Sequence, residues 1–234
     1  MRTREGLTTK AGAWGDLALT LPVFLAYQVG VVFLKVRNAS DLVTSHLLRL
    51  AQGDRWTYFG LTAAVGVAMV VVFAILGRGQ VLRLRKLVQV AVEGAAYALA
   101  MGVATSWVVG RIFAGQAVAA ADGPLAELVM CLGAGFYEEL AFRVVLFGLG
   151  AKLLGWLLGG KRAVRIMGVA VWAVLCAATF SGMHYVGSLG DVFDVRSFVA
   201  RTVLGLALTL VYGTRGFAAA VWTHVLYDVW VVVL

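Results

Sequence analysis

Two acids and a base stand close together inside an apolar stretch, Phe136-Tyr137-Glu138-Glu139-Leu140-Ala141-Phe142-Arg143. On an insertion scale each charge at a bilayer centre costs about 2.5–3.5 kcal/mol, so an ionisable cluster at that depth marks a functional site. Two later apolar stretches each add a histidine: Phe180-Ser181-Gly182-Met183-His184 and His224-Val225-Leu226-Tyr227-Asp228. Carboxylates and imidazoles exchange protons near neutral pH, which is the equipment for activating water as a nucleophile, with or without a metal.

The spacing divides the work. On an α-helix, Glu139 and Arg143 are four apart and share a face, where they can pair. Glu138 is turned from Glu139 by about 100° and has no partner on its own helix, which leaves it available as a base or a ligand. A buried ion pair that locks helices together is the equal alternative for Glu139 and Arg143, but it does not account for Glu138. His184 alone also reads as a structural donor. His224 and Asp228 are again four apart, and the aspartate either orients the imidazole or completes one interhelical hydrogen bond. Three polar clusters on three otherwise apolar helices can satisfy one another, and each must find polar company.

Glu138, His184 and His224 also make a two-histidine, one-carboxylate set of the kind zinc hydrolases use. Against zinc, Arg143 already balances Glu139, so spending Glu138 as a ligand would leave no base on that helix. The expectation is no cofactor, with zinc as the alternative.

These residues need a membrane frame. The chain has 234 residues, 62% of them hydrophobic, and a mean hydropathy of +0.91. That exceeds a soluble domain's share of apolar residues and predicts an all-α, polytopic transmembrane bundle of about seven or eight spans around a conical polar cavity. The predicted spans are 16–35, 57–76, 87–109, 125–150, 166–185, 197–213 and 217–234, with an eighth short helix at 151–160 as an option. These limits put Glu138, His184 and His224 at different depths, so either the fifth helix runs past 185 or the helices tilt strongly. The segment 37–55 reads as an amphipathic interfacial helix that leaves His46 solvated. Gly94, Ala98 and Gly102 recur every fourth residue and predict a face where a neighbour packs closely. Residues 1–234 are read as one membrane domain, with the motifs in 125–234.

The net charge of +8 gathers between apolar runs, at Arg78, Arg83, Arg85 and Lys86 and at Lys161, Arg162 and Arg165. That pattern fits cytoplasmic loops and lipid headgroups and excludes nucleic acid as a partner. Asp191, Asp194 and Arg196 read as a solvated loop. Cys131 and Cys176 lie in apolar runs and read as buried small hydrophobes.

The order Glu-Glu-x-x-x-Arg, Phe-x-x-x-His, His-x-x-x-Asn/Asp resembles the CPBP family of intramembrane proteases (CAAX proteases and bacteriocin-processing enzymes). The matches are Glu138, Glu139 and Arg143, then Phe180 and His184, then His224 and Asp228, across roughly 125–234. The resemblance implies an endopeptidase integral to the membrane, the plasma (inner) membrane if the host is bacterial, acting on membrane-associated peptides or protein tails. It implies that Glu138 and His184 activate water, that Glu139 and Arg143 support the site, and that His224 and residue 228 stabilise the oxyanion. Position 228 is Asp, where CAAX-cleaving members have Asn. An ionised aspartate cannot donate to an oxyanion, so it is either protonated there or an acceptor that orients His224. The competing readings are a non-catalytic scaffold or immunity-type protein of the same fold, and a small transporter with a carboxylate proton relay. The transporter has no use for Arg143 and two histidines, and no inverted repeat is visible.

Overall fold

The computed structural model describes residues 13–34, 36, 38, 42–76, 84–112, 123–159, 162–187 and 190–233. Among them every regular element is helical. The helices are α1 (Ala13–Leu34), α2 (Leu42–Leu50), α3 (Arg55–Leu76), α4 (Leu84–Ile112), α5 (Pro124–Leu157), α6 (Arg162–Met183), α7 (Val195–Arg215) and α8 (Phe217–Val233). Among the described residues, five helices are long and apolar enough to cross a membrane by length and composition. The chain is an all-α, integral membrane bundle. Helices solve the central problem of a hydrocarbon solvent, because each satisfies its own backbone polar groups. Arg78, Arg83 and Lys161 of the basic loops lie outside the described residues.

Two expected limits change. The apolar stretch 151–160 is not a separate helix: α5 continues to Leu157. The fifth predicted span ends at Met183, not beyond 185, and His184 opens the turn that follows. The longer α5 removes the depth mismatch. Glu138 lies 19 residues before Leu157, the end of α5, and His184 lies 22 residues after Arg162, the start of α6, so the two fall at similar depths.

The middle of α5 departs from α geometry. Ala134–Leu149 is π-helical, flanked by α turns. A π turn, with i→i+5 hydrogen bonds, is wider and sets adjacent side chains at a smaller angle than an α turn does. Gly135, Phe136, Tyr137, Glu138 and Glu139 are all buried. The stretch is π- rather than α-helical, but Glu138 still points away from Glu139 and toward other partners, and both acids are buried.

Helix α8 is the axis of the bundle, touched by α1, α4, α5 and α7. Its sequence permits this: Ala218, Ala219, Ala220 and Val221 are small and fully enclosed. The face predicted from Gly94, Ala98 and Gly102 is where α8 lies, since a Cβ at Gly94 would strike the Trp222–Thr223 backbone and one at Gly102 the Trp230 ring. A Cβ at Gly135 would likewise overlap Val225, so glycine sets the approach of α5 to α8. Asp16 of α1 caps α8 from outside, accepting from the Phe217 N–H at 2.8 Å. Gly216 precedes it at φ 103, a conformation glycine adopts freely.

Polar links sew the N-terminal helices to α5. The Gln28 amide donates to the Tyr137 hydroxyl at 2.6 Å, and the Tyr58 hydroxyl donates to Gln28 Oε1 at 2.7 Å. Glu93 holds Arg215 at 2.5 Å. Asp54 caps α3 by accepting from Thr57, and those hydrogen bonds hold its carboxyl below the usual carboxylate range.

Candidate active site

All six predicted site residues converge. Glu139 and Arg143 pair at 3.0 Å, with side chains 0% and 1% exposed. His224 Nδ1 approaches the same Glu139 oxygen at 2.8 Å. Its other nitrogen, Nε2, lies 3.4 Å from Asp228 Oδ2. An imidazole between two carboxylates can donate from both nitrogens when protonated. Arg143 and a protonated His224 then balance Glu139 and Asp228, leaving Glu138 as the odd charge of the cluster.

Glu138 belongs to a second centre. Its Oε2 lies 3.9 Å from His184 Nε2, which is too far for a hydrogen bond. That oxygen is buried and has no hydrogen-bond partner. His184 Nδ1 donates to the Phe180 carbonyl at 2.9 Å, so a neutral ring turns the Nε2 lone pair toward Glu138. Two acceptors therefore face each other across a gap. A water between them can donate one hydrogen to each at ordinary lengths of ~2.8 Å.

Phe180 explains the Phe-x-x-x-His spacing. Its carbonyl fixes the His184 tautomer four residues on, and its ring joins the motifs. Arg143 stacks on that ring at 4.3 Å, and the rings of Phe142, His184 and His224 pack around it at 5.3, 5.1 and 5.9 Å. The segment after α6 is folded back on the site, because the Asp191 N–H donates to the His184 carbonyl at 2.8 Å. Asp191 also pairs with Arg201, and Asp194 caps α7. Both acids are exposed, as expected of a solvated loop, and each also has a partner of its own.

Sequence reasoning missed Asn38. Its side-chain amide donates to Glu138 Oε1 at 3.1 Å, from the far side of the chain. No local pattern distinguishes Asn38 from an ordinary loop residue.

The set suits a metal poorly. Glu138 and His184 face each other, but His224 turns both nitrogens to Glu139 and Asp228. Among the described residues no group of three or more His, Cys, Asp or Glu is arranged to hold an ion.

An all-helical membrane bundle enclosing facing carboxylate and imidazole groups is the framework of an intramembrane hydrolase. Residues 121–230 match the family model described as type II CAAX prenyl endopeptidase Rce1-like. That stretch holds all three motifs, and over it the chain is similar to the CAAX protease (CPBP) family that the motifs resemble. The family acts as proteases on protein or peptide substrates in a membrane. No curated protein and no solved structure matches the chain.

Proposed function

We propose that this chain is a metal-independent intramembrane endopeptidase that cleaves membrane-associated peptides or protein tails. The observation that carries the reading is the gap between Glu138 Oε2, buried without a hydrogen-bond partner, and His184 Nε2. A water held there gives a proton to Glu138 as its oxygen attacks the scissile carbonyl carbon. The carbonyl oxygen becomes an oxyanion and accepts from His224 Nε2, displacing the contact to Asp228. Collapse breaks the C–N bond, and the proton on Glu138 passes to the departing amine. Glu139 and Arg143 do not react; they hold His224 and the helix that carries Glu138. Asp228 orients His224 as an acceptor, which suits an aspartate better than donation to an oxyanion does.

The chemistry works in a dry wall with a wet opening. Glu139 and Arg143 are sealed, whereas the side chains of His184 and Asp228 are 28% and 23% exposed. On this reading, water and an extended peptide enter from that end.

The test is cleavage of quenched fluorescent peptides by purified chain in proteoliposomes. One peptide ends in a farnesylated Cys-aliphatic-aliphatic-X sequence, and its twin is unmodified. The parent is expected to cleave at least one, and His184→Ala and His224→Ala are each expected to lose about 100-fold or more in kcat. Parental rates in both variants would overturn the assignment.

A further inference from the structure

We propose that Asn38, outside the region matched to the family, is a positioning residue that aims the Glu138 carboxylate at the water site. This rests on Glu138 being the base.

A carboxylate on a flexible side chain must be held to act as a base. Glu138 has two oxygens with different surroundings. Oε1 accepts from the Asn38 amide at 3.1 Å, while Oε2 faces His184 and has no hydrogen-bond partner. Fixing one oxygen fixes the rotation of the whole group, so the Asn38 bond directs the other oxygen into the gap. Asn38 is itself held. Its backbone N–H donates to the Tyr27 hydroxyl at 3.0 Å. The Tyr27 ring lies on Gly133, where any Cβ would overlap it, and 5.5 Å from the Tyr137 ring. A chain of contacts therefore runs from the start of α5, through α1 and the segment after it, and back to α5 at Glu138. Both Asn38 and Glu138 are buried, at 7% exposure each, so water does not replace the bond freely.

The N-terminal part of the chain thereby contributes to the site through a single amide. Asn38 needs no contact with substrate. The donor chemistry matters rather than the volume: an ionised aspartate has the same shape and no donor, and leucine has a similar bulk and no donor.

The experiment compares Asn38→Leu, Asn38→Asp and Asn38→Gln with the parent and Glu138→Gln, using whichever of the two quenched peptides the parent cleaves. The expected result for Leu and Asp is a fall in kcat of about 10- to 100-fold, the scale of a misplaced catalytic group. KM stays near the parental value, while the melting temperature falls modestly in both, since a buried Glu138 oxygen loses its donor. Gln, which keeps an amide donor, recovers part of the loss. A substrate-free readout accompanies this: the Glu138 carboxylate stretch, isolated as the infrared difference between parent and Glu138→Gln, shifts when Asn38 becomes Leu. Parental kcat and an unmoved band in Asn38→Leu, with Glu138→Gln inactive, would overturn the inference alone. A kcat loss that follows the melting temperature, equal for Leu and Gln, would also overturn it, since that is the mark of a merely structural residue. An active Glu138→Gln would instead overturn the reading of the site itself.

Discussion

His224 Nδ1 and Glu139 Oε1 meet at 2.8 Å, across 85 positions of sequence. Arg143 reaches the same oxygen at 3.0 Å. The second glutamate of the pair is thus a joint between α5 and α8, and the first is left to face His184. Adjacent, chemically identical side chains are separated into a support and a reactive group by what surrounds them.

Removing Arg143 tests the support. Arg143→Leu leaves Glu139 buried beside a single donor, and losing one partner of a buried pair costs about 3–5 kcal/mol. Thermal unfolding in detergent should register a large fall. The double variant Glu139→Leu/Arg143→Leu should regain much of that stability and none of the activity, because His224 Nδ1 then lacks its acceptor. A double variant as unstable as the single one would contradict the pairing.

Gly135 tests the helix approach. Gly135→Ala drives a methyl into Val225, and overpacking of this kind costs about 1–3 kcal/mol. The separation also pulls Glu139 from His224, so cleavage should fall by about tenfold or more. A Cβ at Gly182 meets nothing within 4 Å, and Gly182→Ala should stay within about 0.5 kcal/mol of the parent. Equal stability of the two variants would show that α5 and α8 are not in close contact there.

Asp228 tests whether position 228 accepts or donates. Its Oδ2 faces His224 Nε2 at 3.4 Å. Asp228→Asn retains a carbonyl acceptor and should keep kcat within about tenfold of the parent, whereas Asp228→Leu removes the acceptor and should lose about 100-fold. Equal activity of all three proteins would remove Asp228 from the account.

Metal removal tests the choice of mechanism. Dialysis against a strong zinc chelator should leave cleavage within about twofold of the untreated rate, since the base and the donors are protein groups. Activity lost to the chelator and restored by zinc would replace this mechanism with a metal-assisted one.

Much of this arrangement is legible in the sequence. The charged residues announce themselves because hydrocarbon makes them costly, and their order carries the family resemblance. The glycine and alanine face of α4 was readable from spacing, since small side chains in register permit only close packing. Other features were not. The end of α5 at 157 rather than 150 is invisible to hydropathy, because both possibilities are apolar. The π geometry of 134–149 leaves no compositional mark. Asn38 and Asp16 act through partners far away in sequence. No local pattern encodes such contacts, which exist only once α1 and α8 have packed against α5.

The most direct measurement is the turnover of purified, reconstituted Glu138→Gln on a peptide that the parent cleaves. The side chain keeps its size and can still accept from Asn38, but it cannot take a proton from water. The account predicts a kcat lower by about 100-fold or more, with parental melting temperature and substrate affinity. Turnover at the parental rate would contradict it.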